Sequence, residues 1–170
     1  MRVCELMSYN DVPLNHWAGY AAALIEIAID HATVLRVDPA LSGTVAPWPF
    51  AGPLVILTAA NPDSHRLTDV ENRQRNLLLA AALARAGIAS VPAIGYSADR
   101  QWVERSVAVD SAHRPTILSL AREFEQAAIF VCEPTVTRVI ARTGEEVFQR
   151  PTLAETVACA RSVLCETAAF

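Results

Sequence analysis

Apolar positions recur with helical spacing in some stretches of the chain and with strand-like density in others. Residues 14–28 carry apolar side chains at helical spacing behind a cap at Asn10 or Asp11, which predicts a first helix. The run LVILTAA, residues 54–60, is apolar on both faces and predicts a central strand that is covered on both sides. A polar loop follows this strand, so the chain turns there toward the next helix.

The rest of the pattern alternates strands with helices. We predict strands over residues 32–37, 89–94, 102–109, 127–132 and 136–141, a loop over residues 38–53, a helix from a capping box of Thr68 and Glu71 to Gly87, a helix from Pro115, and a terminal helix after a second capping box of Thr152 and Glu155. From residue 54 to residue 132 the order is β-α-β-β-α-β, the ferredoxin-like split βαβ pattern.

The predicted fold class is therefore α/β (α+β). It has a ferredoxin-like βαββαβ core, extra N- and C-terminal helices and an added edge hairpin. We predict a single domain, 1–170, in which residues 54–132 form the core and residues 1–53 and 133–170 flank it.

This topology brings distant polar segments to one edge of the sheet. The third core strand lies beside the first and antiparallel to it, so the end of strand 54–60 meets the start of strand 102–109. The connection 95–101 and Gln126, which follows the second core helix, lie at the same edge. A strand that ends in a polar turn before a helix is where α/β proteins place ligands, so we predict a site at this edge.

Glu104 is the most informative residue of the predicted site. Side chains alternate along a strand, so Trp102, Glu104 and Ser106 share one face. A carboxylate in mid-strand is either paired or has a raised pKa, because burying an unpaired charge is unfavourable. Either state suits a general base or a ligand-orienting acceptor. The structural alternatives are an ion pair with an arginine such as Arg75, or plain exposure on a half-hydrated sheet face.

Polar residues flank the strand–helix junction that precedes Glu104 in the chain. Pro62 breaks the central strand and pushes Asn61 away from helical geometry, which on its own indicates a turn. Asn72 and Arg75 share a helix face near the positive end of the helix dipole, where an anion is stabilised. An ordinary solvated helix face is the alternative interpretation.

Composition excludes several classes of function. Hydrophobic residues are 52% and charged residues 19% of the chain, which is typical of a globular protein. The net charge of −4 and the lack of a basic stripe argue against nucleic-acid binding. The sequence shows no apolar run of the roughly 20 residues that span a membrane, and its start lacks a signal-peptide core, so we expect a cytoplasmic protein without a membrane partner. The chain contains no lysine, which excludes Schiff-base chemistry and a P-loop lysine within it.

Metal and thiol chemistry have little support in the sequence. The four cysteines show no C-x-x-C spacing, and Cys159 and Cys165 lie six positions apart on a predicted helix, so we expect free thiols. Asp63, His65 and Glu104 lack any recognised metal-ligand spacing, so no metal is predicted. No cofactor follows from the sequence.

One set of motifs resembles a known family. The set is Thr58-x-x-Asn61-Pro62, Asn72, Gly95, Trp102-x-Glu104-x-Ser106 and Gln126-Ala127. It resembles the bacterial family known as domain of unknown function 3293 over residues 54–131. That family often has glycine directly before the glutamine, where this chain has Glu125. The resemblance implies that these polar residues belong to a shared site, and it implies no particular reaction.

The leading functional hypothesis is a small-molecule site for a polar, anionic ligand of the nucleotide type. In this hypothesis Glu104 is the acceptor or catalytic base of a hydrolytic or group-transfer step, and the ligand-binding residues are Asn61, Asn72, Arg75, Trp102, Ser106 and Gln126. The alternative is a non-catalytic interaction or scaffold protein that forms a homodimer. The apolar loop 46–53 and the hydrophobic first helix favour this alternative.

Overall fold

A computed structural model describes residues 14–167, which form nine strands and four α-helices. The strands are β1 (Leu24–Ala28), β2 (Thr33–Val37), β3 (Leu54–Thr58), β4 (Ser90–Tyr96), β5 (Val103–Asp110), β6 (Ala128–Cys132), β7 (Val136–Ala141), β8 (Glu146–Pro151) and β9 (Ala154–Ala158). The α-helices are α1 (Leu14–Ala22), α2 (Asp69–Arg85), α3 (Arg114–Glu123) and α4 (Val163–Thr167), and short 3-10 helices cover Pro62–Ser64, Ser111–His113 and Cys159–Arg161. The predicted cap at Asn10 or Asp11 lies outside the described residues.

All nine strands join one curled sheet in the order β8-β7-β6-β3-β5-β4-β1-β2-β9. Every neighbouring pair is antiparallel. Within the sheet β5 lies beside β3, as predicted, and Thr58 pairs with Ser106. The sheet continues beyond β6 and β4 on both sides, so the molecule is a mixed α+β fold built on a large antiparallel sheet. A ferredoxin-like core for the run from β3 to β6 stays a prediction.

The central strand β3 is buried on both faces, as its apolar sequence predicted. Val55 and Leu57 pack beneath α2 and α3, with Leu79 of α2 and Ile117 of α3 in the same apolar cluster. The predicted capping box opens α2: the Thr68 hydroxyl accepts from the Glu71 amide, and the Glu71 carboxylate accepts from the Thr68 amide. Gly87 follows this helix with a φ of +68°, the left-handed geometry that glycine adopts without strain.

The opposite face of the sheet is covered by α1 and by the loop between β2 and β3. Trp17 of α1 packs in a cluster with Tyr20 and Phe130. In the loop, Trp48 and Phe50 are partly buried against the cluster that contains Ile56. The aromatic side chains of the apolar loop therefore pack on the protein's own sheet, and a homodimer formed through this loop stays a prediction.

Two predicted helices are wrong in part, because a strand forms in a segment that was predicted to be helical. The first helix ends at Ala22, and the apolar run that follows is β1, paired with both β2 and β4. The predicted terminal helix begins instead as β9, which pairs with β2. Thr152 does not cap a helix, because a strand follows it, and its buried hydroxyl lies 2.8 Å from the hydroxyl of Thr137. Strand β8 had no counterpart in the prediction.

The expectation of free thiols is wrong for two cysteines. Cys159 and Cys165 form a disulfide, with their Cα atoms 5.6 Å apart. They can meet because the chain between them is not one helix: the 3-10 helix ends at Arg161, the backbone of Ser162 is extended, and α4 begins at Val163. Cys132 is a buried free cysteine.

A buried carboxylate ties the C-terminal segment to the sheet. Glu26 of β1 is fully buried. Its Oε1 accepts from Arg36 Nε at 2.9 Å and from the Tyr96 hydroxyl at 3.0 Å, and its Oε2 accepts from the Leu164 amide at 2.9 Å. Arg36 also pairs with Glu155, at 3.1 Å. One side chain therefore links β1, β2, β4 and α4.

Candidate active site

A cavity of about 300 Å³ opens on the face of the sheet that α1 covers. Its lining residues are Gly19, Tyr20, Ala23, Asn61, Ser64, Gly95, Tyr96, Ser97, Trp102, Glu104, Gln126 and Phe130. The turn after β3 and the β4–β5 hairpin thus border the same cavity, as the predicted topology required. Four of the predicted site residues line it: Asn61, Trp102, Glu104 and Gln126.

Glu104 is the one carboxylate among the described residues that line the cavity. It is partly buried, and its Oε1 accepts a hydrogen bond from Asn61 Nδ2 at 2.9 Å. Burial raises the pKa of Glu104 from its ordinary 4.5 to about 7, and hydrogen bonds from the side chains of Asn61 and Trp102 partly offset that rise. The ion pair with Arg75 that the sequence left open is not formed. Glu104 can therefore change its protonation state near neutral pH.

Asn61 positions this carboxylate. Its backbone is left-handed, with φ 47° and ψ 64°, a conformation that asparagine tolerates better than most residues. Its side-chain oxygen accepts from the Leu67 backbone amide at 2.9 Å and from Asn72 Nδ2 at 3.0 Å. The backbone amide of Asn61 donates to Asn72 Oδ1 at 2.9 Å. Because all its polar atoms are engaged, the amide that reaches Glu104 is held in one orientation.

Polar side chains of α2 form hydrogen bonds with backbone groups of the protein itself. Arg75 donates to the carbonyl of Ala59 through Nε and to that of Phe124 through Nη2, both at 2.6 Å. Asn76 Oδ1 accepts from the Ala59 amide at 3.1 Å. Arg75 does not line the cavity, and Asn72 contacts Asn61 instead of facing the cavity. The predicted helix face is present, and its partners are the turn after β3 and the end of α3; a ligand-binding role for Arg75 stays a prediction.

The other predicted residues hold different positions. Gln126 is buried, and its Nε2 donates to the carbonyls of Ala60 and Phe124. Ser106 lies outside the cavity, and its hydroxyl donates to the Glu104 carbonyl at 3.2 Å. Trp102 lines the cavity, and the guanidinium carbon of Arg66 lies 4.9 Å from its ring centroid.

Sequence reasoning missed most of the aromatic wall. Tyr20 of α1 and Phe130 of β6 have ring centroids 5.6 Å apart, and Tyr96 of β4 also lines the cavity. Burial and the nearby Glu104 carboxylate raise the pKa of Tyr20. From the sequence alone, aromatic residues on helices and strands are assigned to the hydrophobic core. The pairing of β6 with β3 is what brings Phe130 to this edge of the sheet.

Glu125 stands where the resembled family often has glycine. Its φ is 56°, so it takes the left-handed position that ends many helices and that glycine usually occupies. The Gln126 amide donates to the Ala121 carbonyl at 2.7 Å, as such a helix end requires. A glutamate is accommodated here with some backbone strain, and the turn that delivers Gln126 is retained.

The family comparison covers this site. Residues 57–129 match the model of a family described as protein of unknown function (DUF3293). This part of the chain is similar to that family. No curated protein and no solved structure matches the chain significantly.

The DUF3293 segment starts in β3 and ends in β6. It contains Glu104, the hydrogen-bonded residues around it, and the turn that Arg75 holds. Tyr20 lies outside it. The carboxylate and its support thus come from the DUF3293 segment, and α1 supplies part of the cavity wall.

The part of the chain that the structure describes contains neither a cluster of metal ligands nor a helix that could span a membrane. Among residues 14–167, no group of three or more histidine, cysteine, aspartate and glutamate side chains is placed to hold a metal ion. Asp63, a candidate from the sequence, pairs with Arg142 at 2.7 Å. No helix in this range combines the length and the apolar character needed to cross a membrane.

The raised pKa of Glu104 predicts how stability depends on pH. The native state holds this proton up to about pH 7, whereas the unfolded chain releases it near 4.5, so unfolding becomes easier as the pH rises through that window. The Glu104→Gln variant lacks this loss. We therefore compare the variant with the wild type at two pH values. The free energy of unfolding of the variant minus that of the wild type should be larger at pH 8 than at pH 5, by up to about 3 kcal/mol.

Urea denaturation at the two pH values measures this difference. Glu123→Gln is the matched control, because it removes the same charge from an exposed position on α3. An equal pH dependence in all three proteins would contradict the assignment of a raised pKa to Glu104.

Proposed function

We propose that the cavity is a small-molecule-binding site in which Glu104 is the hydrogen-bond acceptor or general base. The observation that carries the proposal is a single carboxylate, fixed by Asn61, inside a concave aromatic cavity. Ligand sites are usually apolar clefts of at least about 300 Å³ with a few convergent polar groups. Trp102 supplies a flat wall on which a ring can stack. The run from β3 to β6 would then serve as a ferredoxin-like core that carries the site.

A reaction at this site would use Glu104 to move a proton. A carboxylate with a pKa of about 7 is matched to general-base work near neutral pH. Removing a proton from water or from a ligand hydroxyl would make that oxygen a nucleophile for a hydrolytic or group-transfer step. The anionic ligand predicted from the sequence depended on Arg75, whose guanidinium is engaged with two main-chain carbonyls. The proposal therefore keeps the small-molecule site and drops the requirement for an anion.

The test is to identify what the protein carries when it is purified from cells. Wild-type protein is denatured and the released small molecules are measured by mass spectrometry, in parallel with Glu104→Gln and Glu123→Gln. We expect one compound to be enriched with the wild type and with Glu123→Gln, and to fall at least about tenfold with Glu104→Gln. A compound retained equally by all three proteins would remove Glu104 from the mechanism.

A second candidate function is self-association through the outer face of α2. Val70, Leu77 and Leu78 are 61%, 64% and 62% exposed. The second half of this helix, LLLAAALA over residues 77–84, is apolar all round, which is unusual for a helix that faces water. An antiparallel pairing of two copies would set the first-turn Asp69 against the last-turn Arg85 of the other copy. The exposed apolar side chains of α2 are the observation that favours a homodimeric scaffold.

Replacing Leu77 by aspartate is expected to abolish such a dimer, because it would place like charges together at the centre of the interface. Sedimentation velocity over a range of protein concentrations measures the effect. Ser119→Asp, on the exposed side of α3, controls for the added charge and should leave the dimer intact. A wild-type protein that stays monomeric at the highest concentration would contradict the scaffold.

A further inference from the structure

The charges of the residues that line the cavity indicate which class of ligand it can bind. Glu104 is the one carboxylate among the described lining residues, and none of those residues is an arginine or a histidine. The neighbouring charges Asp63 and Arg142 neutralise each other in an ion pair of 2.7 Å. The charge carried by the described lining residues themselves is therefore negative or, when Glu104 is protonated, zero.

Three of the side chains in the lining that could donate hydrogen bonds to an anion already donate to groups of the protein. Asn61 Nδ2 donates to Glu104, and Gln126 Nε2 donates to two main-chain carbonyls. The Ser97 hydroxyl donates to Asp99 at 2.6 Å. A carboxylate or phosphate that entered the cavity would lose its water without gaining these donors, which is unfavourable.

The aromatic wall favours a positive charge. Tyr20, Trp102 and Phe130 line the cavity together with Tyr96. The negative π-faces of aromatic rings attract cations, and this attraction grows when water is excluded. Trp102 already has a cationic neighbour of the chain's own, since Arg66 lies over its ring at 4.9 Å. A carboxylate within an aromatic enclosure is complementary to an organic cation that carries N–H donors.

We infer that the ligand of this cavity is a small organic cation, an amidinium or a protonated amine on a flat ring, bound by Glu104 and stacked between aromatic side chains. The inference rests on the proposed function, because it names the ligand class of the same site. Glu104 would accept the ligand's N–H groups, and Trp102 and Tyr20 would contact the ring. Asn61 acts through Glu104 as a positioning residue.

Three probes of nearly equal size and different charge test the inference: benzamidinium, benzamide and benzoate. Each is titrated into the full chain while the amide signals of the protein are followed by nuclear magnetic resonance. We expect benzamidinium to shift the signals of cavity residues and to bind at least about tenfold more tightly than benzamide, with benzoate the weakest. In Glu104→Gln the advantage of benzamidinium over benzamide should disappear, and in Glu123→Gln it should remain.

The outcomes separate the ligand class from the site itself. Benzamide or benzoate binding in the cavity as tightly as benzamidinium would overturn the cationic class and leave the small-molecule site standing. Benzamidinium binding that survives in Glu104→Gln would overturn the role of the carboxylate in selecting charge. If no probe shifts the signals of cavity residues, both the inference and the proposed function fail. Trp102→Leu gives a second variant, in which the cation should lose more affinity than the neutral probe.

Discussion

Replacing Glu26 by alanine is expected to lower the free energy of unfolding by about 3–5 kcal/mol, the largest effect of any change considered for this chain. The carboxylate is fully buried and accepts from Arg36, from Tyr96 and from the Leu164 amide. Its removal leaves these donors without their acceptor in a place that water reaches poorly. An unpaired buried polar group is more unfavourable than the pair was favourable.

Glu155→Ala is the matched control, because Glu155 pairs with the same arginine from a side chain that is 40% exposed. Exposed pairs contribute roughly 0–1 kcal/mol, so this variant should unfold almost as the wild type does. Urea denaturation followed by circular dichroism measures both. The double variant Glu26→Met with Arg36→Met should recover part of the loss, since apolar replacements leave no charge behind. Equal losses for Glu26→Ala and Glu155→Ala would show that burial of the network is unimportant.

The second large effect is expected at Asn61. Asn61→Ala removes the acceptor of the Leu67 amide and the donor to Glu104, and it places alanine in a left-handed conformation. We expect a loss of about 2–4 kcal/mol in the free energy of unfolding. The pKa of Glu104 should rise above about 7 at the same time, because the hydrogen bond that lowers it is gone.

Asn61→Gly separates the two causes. Glycine adopts a positive φ without strain, so this variant keeps the backbone conformation and loses the same side-chain contacts. Its stability should lie between those of the wild type and Asn61→Ala. Urea denaturation measures stability, and a carbon-detected titration of the Glu104 carboxyl by nuclear magnetic resonance measures the pKa. A Glu104 pKa that is unchanged in both variants would show that Asn61 does not position the carboxylate.

Features that depend on neighbouring residues in the chain were predictable. The capping box of Thr68 and Glu71 and the stop at Gly87 need no distant partner, and both are present. Strand β3 is apolar at every position but its last, and such a run is stable only inside the sheet. The meeting of Asn61 with Glu104 followed from the order of elements, since β5 lies beside β3.

Other features depended on partners that local patterns do not name. The apolar run of β1 fits helical and strand spacing alike, and pairing with β2 and β4 decides between them. Thr152 and Glu155 satisfy the pattern of a helix cap, yet residues 154–158 pair with β2 and become β9. Arg75 lies on the predicted helix face, but two main-chain carbonyls from different parts of the chain engage its guanidinium.

The amino-acid sequence was enough to predict the class of elements from β3 to β6, the turn at Asn61 and the position of Glu104 beside that turn. These follow from burial, alternation and capping, which act over a few residues. The tertiary structure decided that α1 forms part of the cavity wall, that Tyr20 and Phe130 enclose the carboxylate, and that Arg75 is turned away from it. Each of these depends on contacts between residues far apart in the chain. Such contacts stabilise the protein only after the sheet has brought those residues together.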